Sequence, residues 1–144
     1  MPSATAIAVA ILLLHSVFNS RALAQSADRD SAHCLIVRGC KKLDVGDLDG
    51  AMSDFTSAID KDPLCAPAHY NRALVWDRKG DFDAAILDFS EAIKIEPNDA
   101  PSFACRGYAR AAKGDLSGAI QDYNTALRLD PSEVKAYINR GFAR

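Results

Sequence analysis

The segment Ala66–Asp99, APAHYNRALVWDRKGDFDAAILDFSEAIKIEPND, contains the pattern that decides the fold. It predicts a first helix over about residues 66–79, ending at Gly80, because glycine adopts the left-handed conformation without a Cβ penalty. Asp81 is placed to cap a second helix over about residues 83–96, which Pro97 ends. Apolar residues of the second helix recur at helical spacing, so the segment predicts an antiparallel helix pair with one apolar face.

The same pattern recurs along the chain with a period of 34 residues. The repeated positions are the turn glycine, the capping aspartate, two alanines, the proline and an arginine. They are Gly46, Gly80, Gly114; Asp47, Asp81, Asp115; Ala51, Ala85, Ala119; Ala58, Ala92, Ala126; Pro63, Pro97, Pro131; and Arg38, Arg72, Arg106, Arg140. One helix pair cannot bury its own apolar face, so successive pairs are expected to stack around a continuous core.

These positions resemble the tetratricopeptide repeat. The motifs are His69-Tyr70-Asn71-x-Ala73, Gly80-Asp81-Phe82-x-x-Ala85-Ile86, and Phe89-x-x-Ala92-Ile93 followed by Pro97. The resemblance covers about residues 32–144 and implies an all-α fold, a right-handed superhelix of antiparallel helix pairs. It divides this region into repeats at 32–65, 66–99 and 100–133, and a partial fourth repeat at 134–144. The partial repeat has only a first helix, which should cap helix 117–130 through Tyr137, Ile138 and Gly141.

The family resemblance also implies a concave groove, lined by the first helices, that binds peptide segments of other proteins. Its groove-facing positions correspond here to Ile36, Cys40, Tyr70, Asn71, Leu74, Cys105, Tyr108, Ile138, Asn139 and Phe142. We expect Tyr70, Leu74 and Tyr108 to supply most of the binding energy, since aromatic anchors dominate interfaces. The alternative is that the two tyrosines only pack against neighbouring helices.

One subgroup of the family clamps the C-terminal carboxylate of chaperones with Lys, Asn and Arg at five groove positions. In this chain those positions hold Ile36, Cys40, Asn71, Pro101 and Cys105. Only Asn71 fits the clamp. Shifting the register by one repeat gives Tyr70, Leu74, Cys105, Lys135 and Asn139, which fits no better, so recognition of chaperone tails is not expected.

The beginning of the chain predicts a signal peptide over residues 1–24, followed by a polar linker over residues 25–31. An apolar run from Ala4 to Leu14 is shorter than the roughly 20 residues that cross a bilayer as a helix. Ala22-Leu23-Ala24 has the form of a cleavage site. We therefore expect a periplasmic or secreted protein, cleaved after Ala24 and left without a stable membrane anchor. An uncleaved anchor is the alternative, because no basic residue precedes the apolar run.

Export bears on the cysteines, because disulfides persist in oxidising compartments. Cys34 begins the first predicted helix and Cys65 precedes the third, so both are expected at one end of the stack, where they could form a disulfide. The alternative is that all four cysteines are free and fill space as small apolar residues.

A second repeated pattern joins three arginines to three aspartates, always 16 residues apart and on opposite helices of one pair. The members are Arg38, Arg72 and Arg106 with Asp54, Asp88 and Asp122. They predict a ladder of ion pairs. The alternative is a set of exposed charges, which contribute about 0–1 kcal/mol each.

Other functional classes find little support in the sequence. A formal net charge of −2 without clustered Lys and Arg argues against nucleic-acid binding. No phosphate-binding loop or hydrolase motif occurs, and His33, Cys34 and Cys40 do not form a metal-binding pattern, so neither a catalytic residue, a cofactor nor a metal is expected.

The sequence therefore predicts a non-enzymatic scaffold that binds a mostly apolar peptide or helix of another protein. One alternative is a truncated or self-assembling piece of a longer repeat array, associating through its open last repeat. The other is an enzyme or metal protein.

Overall fold

The computed structural model describes residues 32–143, which form seven helices and no strand. The helices are α1 (32–44), α2 (Leu48–Lys61), α3 (Ala66–Lys79), α4 (Phe82–Ile95), α5 (Ala100–Ala112), α6 (Leu116–Leu129) and α7 (Val134–Phe142). From α2 onwards each helix packs against the next in the chain, and α1 packs against α2 through the core of Ile36, Leu43 and Phe55, so successive helix pairs stack into a solenoid. The predicted all-α repeat fold is confirmed. The predicted signal peptide and linker lie outside the described residues.

The turn within each helix pair follows from two residues of the repeat. Gly80 ends α3 with φ of 79°, in the left-handed region that favours glycine. The Asp81 carboxylate then accepts a hydrogen bond from the Ala84 amide at 3.0 Å and caps α4. Thus α4 begins and ends one residue earlier than the sequence predicts.

The core of each pair is an aromatic ring packed against very small residues of the first helix. Phe55, Phe89 and Tyr123 occupy the same repeat position and are almost completely buried. A Cβ added to Gly107 would lie 2.8 Å from the Tyr123 ring, so α5 and α6 approach closely because this residue is glycine.

The predicted ladder of ion pairs is present, and its aspartates are buried. Arg72 donates to Asp88 through Nε at 2.7 Å and through a terminal nitrogen at 2.8 Å. Arg106 pairs with Asp122 in the same way, at 3.0 and 2.7 Å. The Arg38 guanidinium and the Lys42 ammonium, both in contact with Asp54, together lower the pKa of that carboxyl to about 2 against the opposing effect of burial.

The arginines also reach back to the second helix of the preceding pair. Arg106 donates to the Ser90 hydroxyl at 3.0 Å, and Arg140 donates to Asn124 Oδ1 at 2.8 Å. Arg106 therefore ties its own hairpin to the one before it. Arg72 has the same double role, since it also donates to the Thr56 hydroxyl of α2 at 3.5 Å, and these contacts favour a structural function for the ladder.

The last helix, α7, packs on α6 through alanines. Ala136 and Ala143 are buried and join the cluster formed by Ala126 and Leu127 of α6. The expectation that Tyr137, Ile138 and Gly141 cover this face is wrong, since all three are exposed. Small side chains allow the two helix backbones to approach, and this leaves the larger residues of α7 outside the contact.

Candidate functional site

A concavity of about 370 Å³ opens between three of the first helices. Its walls come from α3, α5 and α7, and the Phe89 ring of α4 contributes to its lining. The complete lining is Leu74, Asp77, Phe89, Ala104, Cys105, Tyr108, Lys135 and Asn139. We call this surface the groove. It is mostly apolar, with one acid and one base.

The repeat places these residues in rows across the helices. Leu74 of α3 and Tyr108 of α5 occupy the same repeat position, as do Cys105 of α5 and Asn139 of α7. Because successive first helices stack side by side, residues one period apart lie next to each other across the groove. Two aromatic residues line the groove, Phe89 and Tyr108. Phe89 is almost completely buried, whereas Tyr108 keeps 48% of its surface exposed, so a ligand can reach Tyr108.

Tyr70 forms part of the wall beside the groove. Its ring meets the Phe89 ring edge-on, with 5.7 Å between centroids, and its hydroxyl lies 3.7 Å from the Cys105 thiol. Burial raises the pKa of Tyr70, and the nearby Cys105, Asp99 and Glu133 raise it further. This packing agrees with the alternative in which Tyr70 supports neighbouring helices.

Of the predicted groove residues, the structure brings together Leu74, Cys105, Tyr108 and Asn139, with Tyr70 at their edge. The Asn71 amide is used within its own helix, donating to the Pro67 carbonyl at 2.8 Å.

The remaining predicted groove residues lie elsewhere. Ile36 is buried in the core formed by the first helix pair and α3, and Cys40 packs against that core. Ile138 and Phe142 of α7 are exposed, Phe142 to 85%, because no helix follows α7 in the described part of the chain.

The sequence prediction missed Asp77. Its Oδ1 atom is shielded from solvent and has no hydrogen-bond partner among residues 32–143. Burial raises the pKa of this carboxyl, although Arg78 opposes the effect. The same repeat position holds Leu43 and Ala111 in the neighbouring units, so an acid in an otherwise apolar column was the available signal.

The predicted disulfide partners occupy different environments. Cys34 is exposed at the start of α1, and Cys65 is half-buried just before α3. Both are free thiols in the structure. Burial raises the pKa of the Cys65 thiol. The Cys34–Cys65 bond remains a prediction.

Within residues 32–143, no three His, Cys, Asp or Glu side chains are grouped so that they could hold a metal ion. His69, the bulky histidine of the second repeat, is buried, with Nδ1 3.3 Å from Asp88 and Nε2 3.2 Å from the Pro63 carbonyl. It is therefore part of the packed ladder. None of the helices described is both long and apolar enough to span a membrane.

Comparison with protein families gives two matches that together cover most of the described residues. A family described as tetratricopeptide repeat matches residues 36–100, and one described as TPR repeat matches residues 107–144. Among curated proteins, none is similar enough to this sequence to count as a match.

Several solved structures are similar to this chain along most of their length. The second TPR of Spaghetti (RPAP3), bound to the HSP90 peptide SRMEEVD, is 30% identical; the match covers 74% of this chain and 98% of that chain, with a TM-score of 0.72. The first TPR of the same protein, bound to the same peptide, is 28% identical, with coverages of 79% and 90% and a TM-score of 0.78. The second TPR domain of human RPAP3, in complex with the HSP70 peptide SGPTIEEVD, is 27% identical, with coverages of 83% and 97% and a TM-score of 0.75.

Proposed function

The chain belongs to the tetratricopeptide repeat family, and from this we propose that it is a non-enzymatic scaffold that holds a peptide segment of another protein in the groove. The observation that carries this proposal is the concavity itself, about 370 Å³ in volume, with apolar walls and a half-exposed tyrosine at its side. Sites for ligands are typically concave and apolar, with a few polar groups that fix orientation.

We expect the groove to bind an extended or helical segment with apolar side chains. Leu74 on α3 and Tyr108 on α5 both line the groove and offer it apolar contacts from two first helices. Tyr108 is our main candidate for an anchor, because tyrosine supplies a large contact area at low cost in conformational entropy.

Selection from a library of random peptides tests this function. The purified protein is expected to enrich peptides whose binding is lost on Tyr108→Ala. Leu87→Ala is the matched control, because Leu87 is an exposed apolar residue of α4 that does not line the groove. Peptides that bind both variants equally, or that depend on Leu87, would place the binding site elsewhere.

We also propose that the protein acts after export to the periplasm or the secretory space. The support is the short apolar run and the Ala22-Leu23-Ala24 site in the sequence. N-terminal sequencing of the protein from its native compartment should begin at Gln25. Intact Met1 in membrane fractions would contradict export with cleavage.

A second candidate function is self-assembly through α7. Val134, Tyr137, Ile138 and Phe142 expose apolar surface on this helix, and such patches commonly mark interaction sites. Sedimentation over a range of concentrations separates the candidates. If the protein stays monomeric at all concentrations, the scaffold function is favoured. If it associates and Phe142→Ser abolishes the association, self-assembly is favoured.

A further inference from the structure

The groove has one feature that an apolar peptide alone would leave unsatisfied. The Oδ1 atom of Asp77 faces neither solvent nor a donor among residues 32–143, although its residue lines the groove wall. A buried acceptor without a donor is costly, and more so when it is charged. Because Oδ1 is shielded from water, a ligand cannot donate to it in this conformation, but a cation in the groove beside the carboxylate would offset the negative charge that Oδ1 shares with Oδ2.

The charges around the groove favour the same kind of ligand. Asp99 and Glu133 act on the Tyr70 hydroxyl, and Asp77 and Glu133 act on the Cys105 thiol. Lys135, exposed on α7, is the one cation that counters them at Cys105. Three carboxylates therefore act on this part of the molecule against two cations, Lys135 and the Arg78 guanidinium, which leaves one negative charge in excess and favours a cationic ligand.

Lys135 does not neutralise Asp77. The structure contains no ion pair within 4.0 Å between Asp77 and any Lys or Arg of the described residues. By contrast, the buried aspartates of the ladder each have at least one arginine partner. Asp77 is thus the acidic residue of the groove lining, and it has no cationic partner within 4.0 Å among the described residues.

We propose that the groove selects a peptide that carries a lysine or arginine between apolar side chains, with the cation bound to Asp77 and the apolar residues on Leu74 and Tyr108. This inference rests on the proposed function and specifies its ligand. It also separates this chain from the relatives above, whose bound peptides SRMEEVD and SGPTIEEVD end in EEVD, with two glutamates before the final residues. Such acidic tails would meet Asp77 and Glu133 as like charges.

The same peptide selection tests this inference when the enriched peptides are compared by their content of Lys, Arg, Asp and Glu. Peptides enriched on the wild-type protein should contain Lys or Arg flanked by apolar residues. One such peptide, synthesised and titrated by calorimetry, should bind Asp77→Asn about tenfold more weakly or worse, as loss of a shielded charge pair does. Asp60→Asn, which removes an exposed charge of α2 outside the groove, should leave its affinity unchanged.

Two further measurements sharpen the result. Lys135→Gln should increase the affinity for the basic peptide, because it removes a repelling charge from the groove lining. The synthetic peptide SRMEEVD should not bind measurably. Circular dichroism of each variant confirms that the helices are retained.

The outcomes separate this inference from the proposed function. Three results would overturn the preference for basic peptides while the scaffold function stands. The first is enrichment of acidic or uncharged peptides, and the second is equal affinity of the wild-type protein and Asp77→Asn for the basic peptide. The third is tight binding of SRMEEVD that Lys135→Gln weakens. Failure to enrich any peptide that depends on Tyr108 would overturn the proposed function itself.

Discussion

Replacing Asp122 tests whether the ladder of ion pairs stabilises the stack. Asp122 is buried and accepts three charge-assisted hydrogen bonds, two from Arg106 and one from Arg110 at 2.9 Å. The two arginine side chains are only 14% and 26% exposed, so water can solvate them only in part after the aspartate is removed. Asp122→Asn removes the negative charge while keeping the shape of the side chain.

The expected loss is about 3 kcal/mol in free energy of unfolding, at the lower end of what breaking a buried ion pair costs, because of this partial exposure. For a chain of this size the loss corresponds to a fall of about 12 °C in Tm. Urea denaturation followed by circular dichroism measures it directly.

Glu91→Gln provides the matched control. Glu91 pairs with Lys94 at 2.6 Å within one helix, and both side chains are largely exposed, so its replacement should cost less than about 0.5 kcal/mol. If Asp122→Asn costs no more than Glu91→Gln, the ladder is a set of exposed charges in energetic terms, and the structural role given to it is wrong.

Three other predictions concern packing, pH and redox state. Gly107→Ala should destabilise the fold by about 1 kcal/mol or more, because the added Cβ would meet the Tyr123 ring. Gly141 faces open space, so Gly141→Ala should stabilise the fold by up to about 1 kcal/mol. Equal denaturation midpoints for the two variants would contradict this account of the close approach between α5 and α6. Because the folded pKa of Asp54, about 2, lies below the usual value, its contribution to stability should be complete above about pH 4 and be lost as the pH falls towards 2. Asp54→Asn should therefore show a smaller loss of stability over this interval, and an identical acid transition in both proteins would refute the assignment. Peptide mapping without reductant should find Cys34 bonded to Cys65 in protein from an oxidising compartment, and two free thiols there would rule the bond out.

The sequence predicted the fold well because the features that set it are local and repeated. Gly80 and Asp81 act through their own backbone and the adjacent turn, so their roles follow from residue type and position. The pairing of Arg72 with Asp88 was also predictable, since two helices joined by a short turn bring residues 16 apart together.

The groove was predicted less completely because exposure there depends on neighbours from other repeats. Ile36 and Ile138 share a repeat position, yet Ile36 is covered by the core that includes Ala68 of α3, while Ile138 has no following helix in the described chain. The sequence shows Asp77 as an acid in an otherwise apolar repeat position, but only the tertiary structure shows that its Oδ1 atom lacks a donor. A family pattern assigns positions to a face, and it cannot say which of them stay accessible.

The proposed function is tested most directly by mapping a selected peptide on the protein by NMR. Titration of the peptide into ¹⁵N-labelled protein is expected to shift the amide signals of groove residues on α3, α5 and α7, led by Leu74, Asp77, Cys105, Tyr108 and Asn139. Signals of the outer residue Leu87 on α4 should stay in place. Shifts confined to the second helices α2, α4 and α6, with the groove signals unchanged, would contradict binding in the groove.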